Sequence, residues 1–179
     1  MRNCHRVLST AAVLWFASCA TSPTLPTGRP SADELAVRAL VLDVYAIVSG
    51  EQGQARDWDR LRKLFADGGT MHVSMRRGDA TVAAKFDVEQ FIAMATQNSQ
   101  REAFFESPLV TRVETFAGVG YAWSSYAARN TKAAEPFARG VNCFTFMKGK
   151  DGWRIVMIAW SEETDGDRLP ASLLPDAAR

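Results

Sequence analysis

The chain has 179 residues, 47% hydrophobic and 23% charged, with a formal net charge of +1. That balance suits one globular domain with appendages, and its core is large enough to need no disulfides. A near-neutral chain lacks the strongly basic face that phosphate binding requires, which argues against nucleic acid as a partner.

The N-terminal residues differ from the rest. Arg2, His5 and Arg6 precede a short apolar run, Val7 to Ala17, and "SCA" follows. Basic, apolar and then small residues form the pattern of a secretory signal. The run is too short to span a bilayer, which takes roughly 20 apolar residues. "FASC" resembles the lipobox of bacterial lipoproteins, which implies lipid attachment at Cys19 and a signal over residues 1–19. Phe16 stands where that motif favours leucine. Ordinary cleavage after Ala20 is the alternative, with Ser18 and Ala20 as the small residues. The lipobox resemblance implies a bacterial envelope protein, lipid-anchored and facing the periplasm, with the outer membrane favoured by Ala20 after the cysteine. Cleavage after Ala20 implies a soluble periplasmic or secreted protein.

Residues 20–30, rich in Pro, Thr and Ser, read as a flexible tether. Loss of the leader removes Arg2, Arg6, His5 and Cys4, so the remainder is near neutral and His72 is its lone histidine. With Cys19 lipidated, Cys143 is the single free thiol, in the setting of a small buried hydrophobe.

A domain is expected over residues 31–165. Ser31 and Glu34 form a capping box after Pro30, and Val37, Leu40, Val41, Val44, Ile47 and Val48 recur at helical spacing towards Gly50. A second helix is expected over "RDWDRLRKLFADGG", with Trp58, Leu61, Leu64 and Phe65 on one face and Gly68-Gly69 as its stop. "TMHVSMRRGDATVAAKF" reads as two strands around "RGDA". A third helix starts at the cap Asp87, boxed by Gln90, with Phe91, Ile92 and Ala95 inward.

The period then changes to two. "EAFFESPLVTRVETFAG" and "VGYAWSSYAARN" read as long strands, followed by a hairpin over Pro136 to Trp160 with the turn "GKDG". The tail, residues 166–179, is punctuated by Pro170 and Pro175 and is expected to pack loosely. Helices then strands in this order predict an α+β fold with helices on one face of an antiparallel sheet. The last strand is apolar on both faces, so something must cover each. The three helices are one cover; the other is a second subunit, which makes a homodimer the expectation, or the sheet curled on itself.

"DWDRLRKLFADGGTMHV" and "ARGVNCFTFMKGKDGWRIVMIAW" resemble the nuclear-transport-factor-2-like, or SnoaL-like, superfamily over Asp33 to Glu163. The resemblance implies a cone-shaped α+β fold of three N-terminal helices packed on a curved, mostly antiparallel sheet. It also implies that the strand holding "RGVNCFTF" lines the interior. Residues alternate along a strand, so Gly140, Asn142, Phe144 and Phe146 share one face, and Arg139 and Cys143 point the other way. Asn142 then offers a donor and an acceptor to an enclosed ligand, or satisfies a neighbouring loop or helix end.

A more distant similarity is to the scytalone dehydratase family, which carries an active-site asparagine at the position of Asn142. That family has a serine at Gly140, a Tyr-Asp pair at Gly53-Gln54 and two histidines where this chain has His72 alone. Matched to the ketosteroid isomerase relatives, Val73 falls on the catalytic aspartate. His72 is one residue away and faces the other side of a regular strand.

Titration near neutrality makes His72 a candidate general base. No partner places Ser124, Ser125 or Cys143 beside it for nucleophilic catalysis. No Cys pair, His pair or acidic cluster has metal-ligand spacing, and no phosphate loop is present. The candidate ligand-binding set is Tyr45, His72, Phe91, Trp123, Asn142 and Trp160, with Arg112 and Glu162 at the rim. The sequence therefore supports an envelope-anchored, non-catalytic domain that binds a small apolar or amphipathic molecule. The alternative is a cofactor-free lyase or isomerase using His72 and Asn142. A structural homodimer with a filled interior is a third reading. None of these needs a cofactor or metal.

Overall fold

The computed structural model describes residues 29–78 and 80–176. The leader, Cys19 and most of the tether lie outside the described residues. Among the described residues no helix is long and apolar enough to cross a membrane.

Helix α1 spans Ala32–Val48 and begins where the capping box places it. Ser31 Oγ accepts from the Glu34 amide, and the Ser31 amide donates back to Glu34 Oε2. Two of the donors that every helix start leaves open are thereby satisfied. The helix buries Val37, Val41, Val44, Tyr45 and Ile47. Its last carbonyls meet a buried arginine from the following loop. Arg56 donates to the carbonyls of Val48, Gly50, Glu51 and Gln54 at 2.6–3.2 Å. Arg56→Ala removes this donor from all four carbonyls, of which Gly50 and Glu51 keep the backbone amides of Phe104 and Gln54, and is expected to cost about 2–3 kcal/mol; urea unfolding measures it.

Helix α2 spans Trp58–Leu64, capped by Asp57. It is shorter than the sequence pattern suggests. Phe65 is already extended and pairs in parallel with Ile155. The reason is local: a Cβ on Gly69 would sit 2.7 Å from the Phe65 ring, so glycine there lets the ring turn into the core. Gly68, at φ +72°, makes the accompanying kink, a left-handed conformation that glycine adopts without penalty.

Strands β1 (Phe65–Arg77) and β2 (Ala80–Asp87) form a hairpin. Helix α3 (Val88–Arg101) follows, with its own capping box between Asp87 and Gln90. Then come β3 (Phe105–Phe116), β4 (Val119–Arg129), β5 (Ala138–Gly149) and β6 (Gly152–Glu162). The six strands form one sheet in the order β2-β1-β6-β5-β4-β3. Every neighbouring pair is antiparallel except β1 and β6, which are parallel. The fold is therefore α+β with a mostly antiparallel sheet.

The helices cover one face of this sheet, here called the inner face. Phe144 and Phe146 from β5, Ile158 from β6 and Met71 from β1 share the core with Val37 and Val41 of α1 and Leu61 of α2. Phe144 and Phe146 are fully buried and stack at 5.9 Å, each contributing about 2–3 kcal/mol by burial. The tail docks on the outer face. Leu173 is buried there, Ser125 Oγ donates to its carbonyl at 2.6 Å, and Arg112 donates to the Ser172 carbonyl.

Candidate functional site

The strand register decides which side chains can meet. Asn142 stands opposite Ser124 on β4 and Trp160 on β6, and Trp160 stands opposite Val73 on β1. All four lie on the inner face. Cys143 stands opposite Trp123 and Ala159, and Ala159 stands opposite His72. These four lie on the outer face. Arg139 shares that outer parity and pairs with Glu163 at 2.8 Å.

Between the inner face and the helices lies a cavity of about 180 Å³. Phe91 of α3 and Trp160 of β6 meet edge-to-face at 6.3 Å on its wall. A second chamber of about 230 Å³ lies towards α3 and Trp58. Val48, Phe91, Phe104 and Phe137 line both chambers. Phe137 is 56% exposed and stands at the opening against Phe104.

One polar chain crosses this apolar region. Asn142 Nδ2 donates to Glu106 Oε1 at 2.9 Å and to Tyr45 Oη at 3.2 Å. Tyr45 Oη donates to Ser124 Oγ, which also contacts Thr111 Oγ1, both at 2.8 Å. Both amide hydrogens of Asn142 are thus engaged. Glu106 and Glu162 line the cavity, Glu162 at its exposed edge.

Burial is the main cause that pushes the Glu106 carboxyl up, to about 7. The Asn142 amide pulls it down, and the negative charge of Glu162 adds to the rise. Removing a charged carboxylate from water disfavours its ionised form, and a second carboxylate does the same. Burial likewise raises the Tyr45 and Tyr126 hydroxyls far above the ordinary tyrosine range.

Gly140 on β5, opposite Tyr126 on β4, leaves room for the end of the tyrosine side chain. A Cβ on Gly140 would collide with the Ser161 carbonyl and stand 2.7 Å from Tyr126 Oη. Gly140→Ala is expected to destabilise the fold by about 2–3 kcal/mol through overpacking, read from the shift in the urea midpoint.

Comparison with solved structures identifies the architecture. A protein of unknown function with a cystatin-like fold from Nostoc punctiforme PCC 73102 matches with a TM-score of 0.59 at 12% identity, covering 76% of this chain and 95% of that one. An NTF2-like protein with a cystatin-like fold from Novosphingobium aromaticivorans matches with a TM-score of 0.57 at 18% identity, covering 79% and 86%. The fold is NTF2-like, where NTF2 stands for nuclear transport factor 2. A candidate dehydratase of the NTF2-like family from Streptomyces avermitilis matches with a TM-score of 0.53 at 14% identity, covering 74% and 96%. No protein-family model matches the chain, and no curated protein sequence matches it significantly.

Within this NTF2-like fold the six residues singled out from sequence separate into three groups. Phe91, Asn142 and Trp160 line the cavity. Tyr45 is buried one layer behind, holding Asn142. His72 and Trp123 stand on the outer face, away from the cavity, because their strand neighbours Met71, Val73, Ala122 and Ser124 take the inner positions. His72 Nε2 instead meets Thr70 Oγ1 at 3.0 Å. Of the expected rim residues, Glu162 lines the cavity and Arg112 is engaged by the tail. Glu106, Phe104 and Phe137 enter the site without having been singled out. Among the described residues no group of three His, Cys, Asp or Glu side chains could hold a metal ion.

Proposed function

We propose that this chain is a small-ligand-binding domain, non-catalytic, with its ligand held between the sheet and the helices. The observation that carries this reading is the largely apolar cavity, open at one side, with Glu106 and Asn142 as a polar end. Aromatic walls with a few convergent polar groups are the usual make-up of such sites. A second chamber adjoins it across Val48, Phe91, Phe104 and Phe137. The leader pattern supports anchoring in a bacterial envelope through lipid at Cys19, which incorporation of labelled palmitate, lost in Cys19→Ala, would test.

Native mass spectrometry on the full chain tests the binding reading. The expected result is a retained small molecule that is lost when Ala138→Phe fills the cavity from its wall. A chain that stays empty against a broad mixture of apolar and amphipathic molecules would contradict it. The same measurement reports oligomeric state. Val119, Tyr121, Trp123 and Met147 are exposed on the outer face, which supports a homodimer joined there.

A second reading, a cofactor-free lyase or isomerase, is favoured by one observation. A carboxyl group that titrates near neutrality faces a largely apolar cavity, as general acid–base catalysis requires. The base in that reading is Glu106 rather than His72, and Tyr126 is the donor to a developing oxyanion. Proton exchange at the α-carbon of a small enolisable ketone in deuterated water, abolished in Glu106→Gln, would establish it.

A further inference from the structure

The cavity is unusual in the charges it presents. Its lining holds two carboxylates, Glu106 and Glu162, and no lysine, arginine or histidine. Glu106 Oε1 takes the Asn142 amide, whereas Glu106 Oε2 has no hydrogen-bond partner among the described residues. Tyr126 is only 4% exposed and lines the same cavity. Its hydroxyl also has no hydrogen-bond partner among the described residues. The site therefore offers lone pairs and negative charge, with the Tyr126 hydroxyl and the Trp160 indole N–H as its uncommitted donors among the described residues.

That pattern selects among ligand chemistries. An anionic ligand meets two like charges and no cation. A neutral acceptor finds donors but leaves both carboxylates without a counter-charge. An ammonium group is donor only, carries the complementary charge and brings up to three hydrogens. Aromatic faces such as those of Phe91 and Trp160 attract a cation as well as an apolar body. We propose that the ligand is an apolar amine, its ammonium group seated between Glu106, Glu162 and the Tyr126 hydroxyl and its apolar body among the aromatic side chains. This rests on the cavity being the ligand site.

A pH dependence follows. The groups facing Glu106 are Glu162 from β6, Tyr126 from β4, Tyr45 from α1 and the uncharged Asn142 from β5. Of these, the Glu106 carboxyl is the one that burial brings to about 7. An ammonium ion binds the ionised form of Glu106, so affinity rises as pH passes upward through the Glu106 titration near 7. A group with that midpoint gives about tenfold tighter binding at pH 8 than at pH 6.

The test is isothermal titration of the full chain with 2-phenylethylamine, 2-phenylethanol and phenylacetate, which share an apolar body and differ in the polar end. The expected order is amine tightest, alcohol at least tenfold weaker and phenylacetate weakest. Glu106→Gln should bring amine and alcohol to within about twofold of each other and remove the pH dependence. Glu162→Gln, at the exposed edge where folding is not at stake, should reduce the amine preference without abolishing it. Alcohol binding as tightly as amine, with no effect of either substitution on their ratio, would overturn the amine proposal and leave the cavity as a binding site. Preferred binding of phenylacetate would also overturn it. Failure of all three to bind would overturn the amine proposal and the binding reading together.

Discussion

Asn142→Leu is expected to destabilise the chain by about 2–3 kcal/mol at pH 8 and by markedly less at pH 5. The amide of Asn142 is the donor to Glu106 and also meets Tyr45 Oη. Leucine fills the same space but donates nothing, so an ionised Glu106 is left bare in an apolar cavity. Tyr45 keeps its bond to Ser124 in either case. At pH 5 Glu106 is protonated and the missing donor matters less. Urea unfolding at the two pH values measures the difference. An equal loss at both would show that Asn142 does not serve the carboxylate.

Glu106→Gln is expected to make the chain more stable above pH 7, and the sign follows from proton linkage. The Glu106 carboxyl rises from 4.5 to about 7 on folding, so the folded state holds a proton that the unfolded state has released between those values. Stability contributed by the protonated form is present below pH 4.5 and is lost as pH rises through 7. The full loss is on the order of 3 kcal/mol. Glutamine cannot ionise and still offers an oxygen to Asn142. The variant should therefore match the native chain at pH 4 and melt roughly 6–10 °C higher at pH 8, on the scale of a few degrees per kcal/mol. Thermal unfolding followed by circular dichroism across that range checks it. Parallel pH profiles for the two chains would contradict the burial of this carboxyl.

Much of this arrangement is legible in the sequence where a local rule fixes geometry. The capping boxes at Ser31 and Asp87 set two helix starts, and the alternation in "RGVNCFTF" puts Asn142 on the side of Phe144 and Arg139 on the other. The same alternation carries His72 outward, since Met71 and Val73 on either side of it are the buried residues. A lone histidine invites a functional reading that its own strand neighbours argue against. Trp123 repeats the lesson: small Ala122 and Ser124 are fully buried, and the large ring between them is 41% exposed. Glu106 was not legible. A glutamate in a strand reads as solvent-facing, and its partner Asn142 is 36 positions further along the chain. Only the sheet order, which sets β5 next to β4 and β4 next to β3, brings the two together. Phe65 was misplaced on a helix because its ring depends on the space above Gly69, a contact that periodicity does not encode.

The most direct measurement is the titration of the Glu106 carboxyl carbon by NMR on glutamate-labelled chain, assigned by its absence in Glu106→Gln. The account expects a midpoint near 7 in the free chain, falling when 2-phenylethylamine is added, because a seated cation favours the carboxylate. A midpoint in the ordinary glutamate range, unmoved by the amine, would mean that Glu106 meets water rather than a ligand cavity, and would contradict the account at its centre.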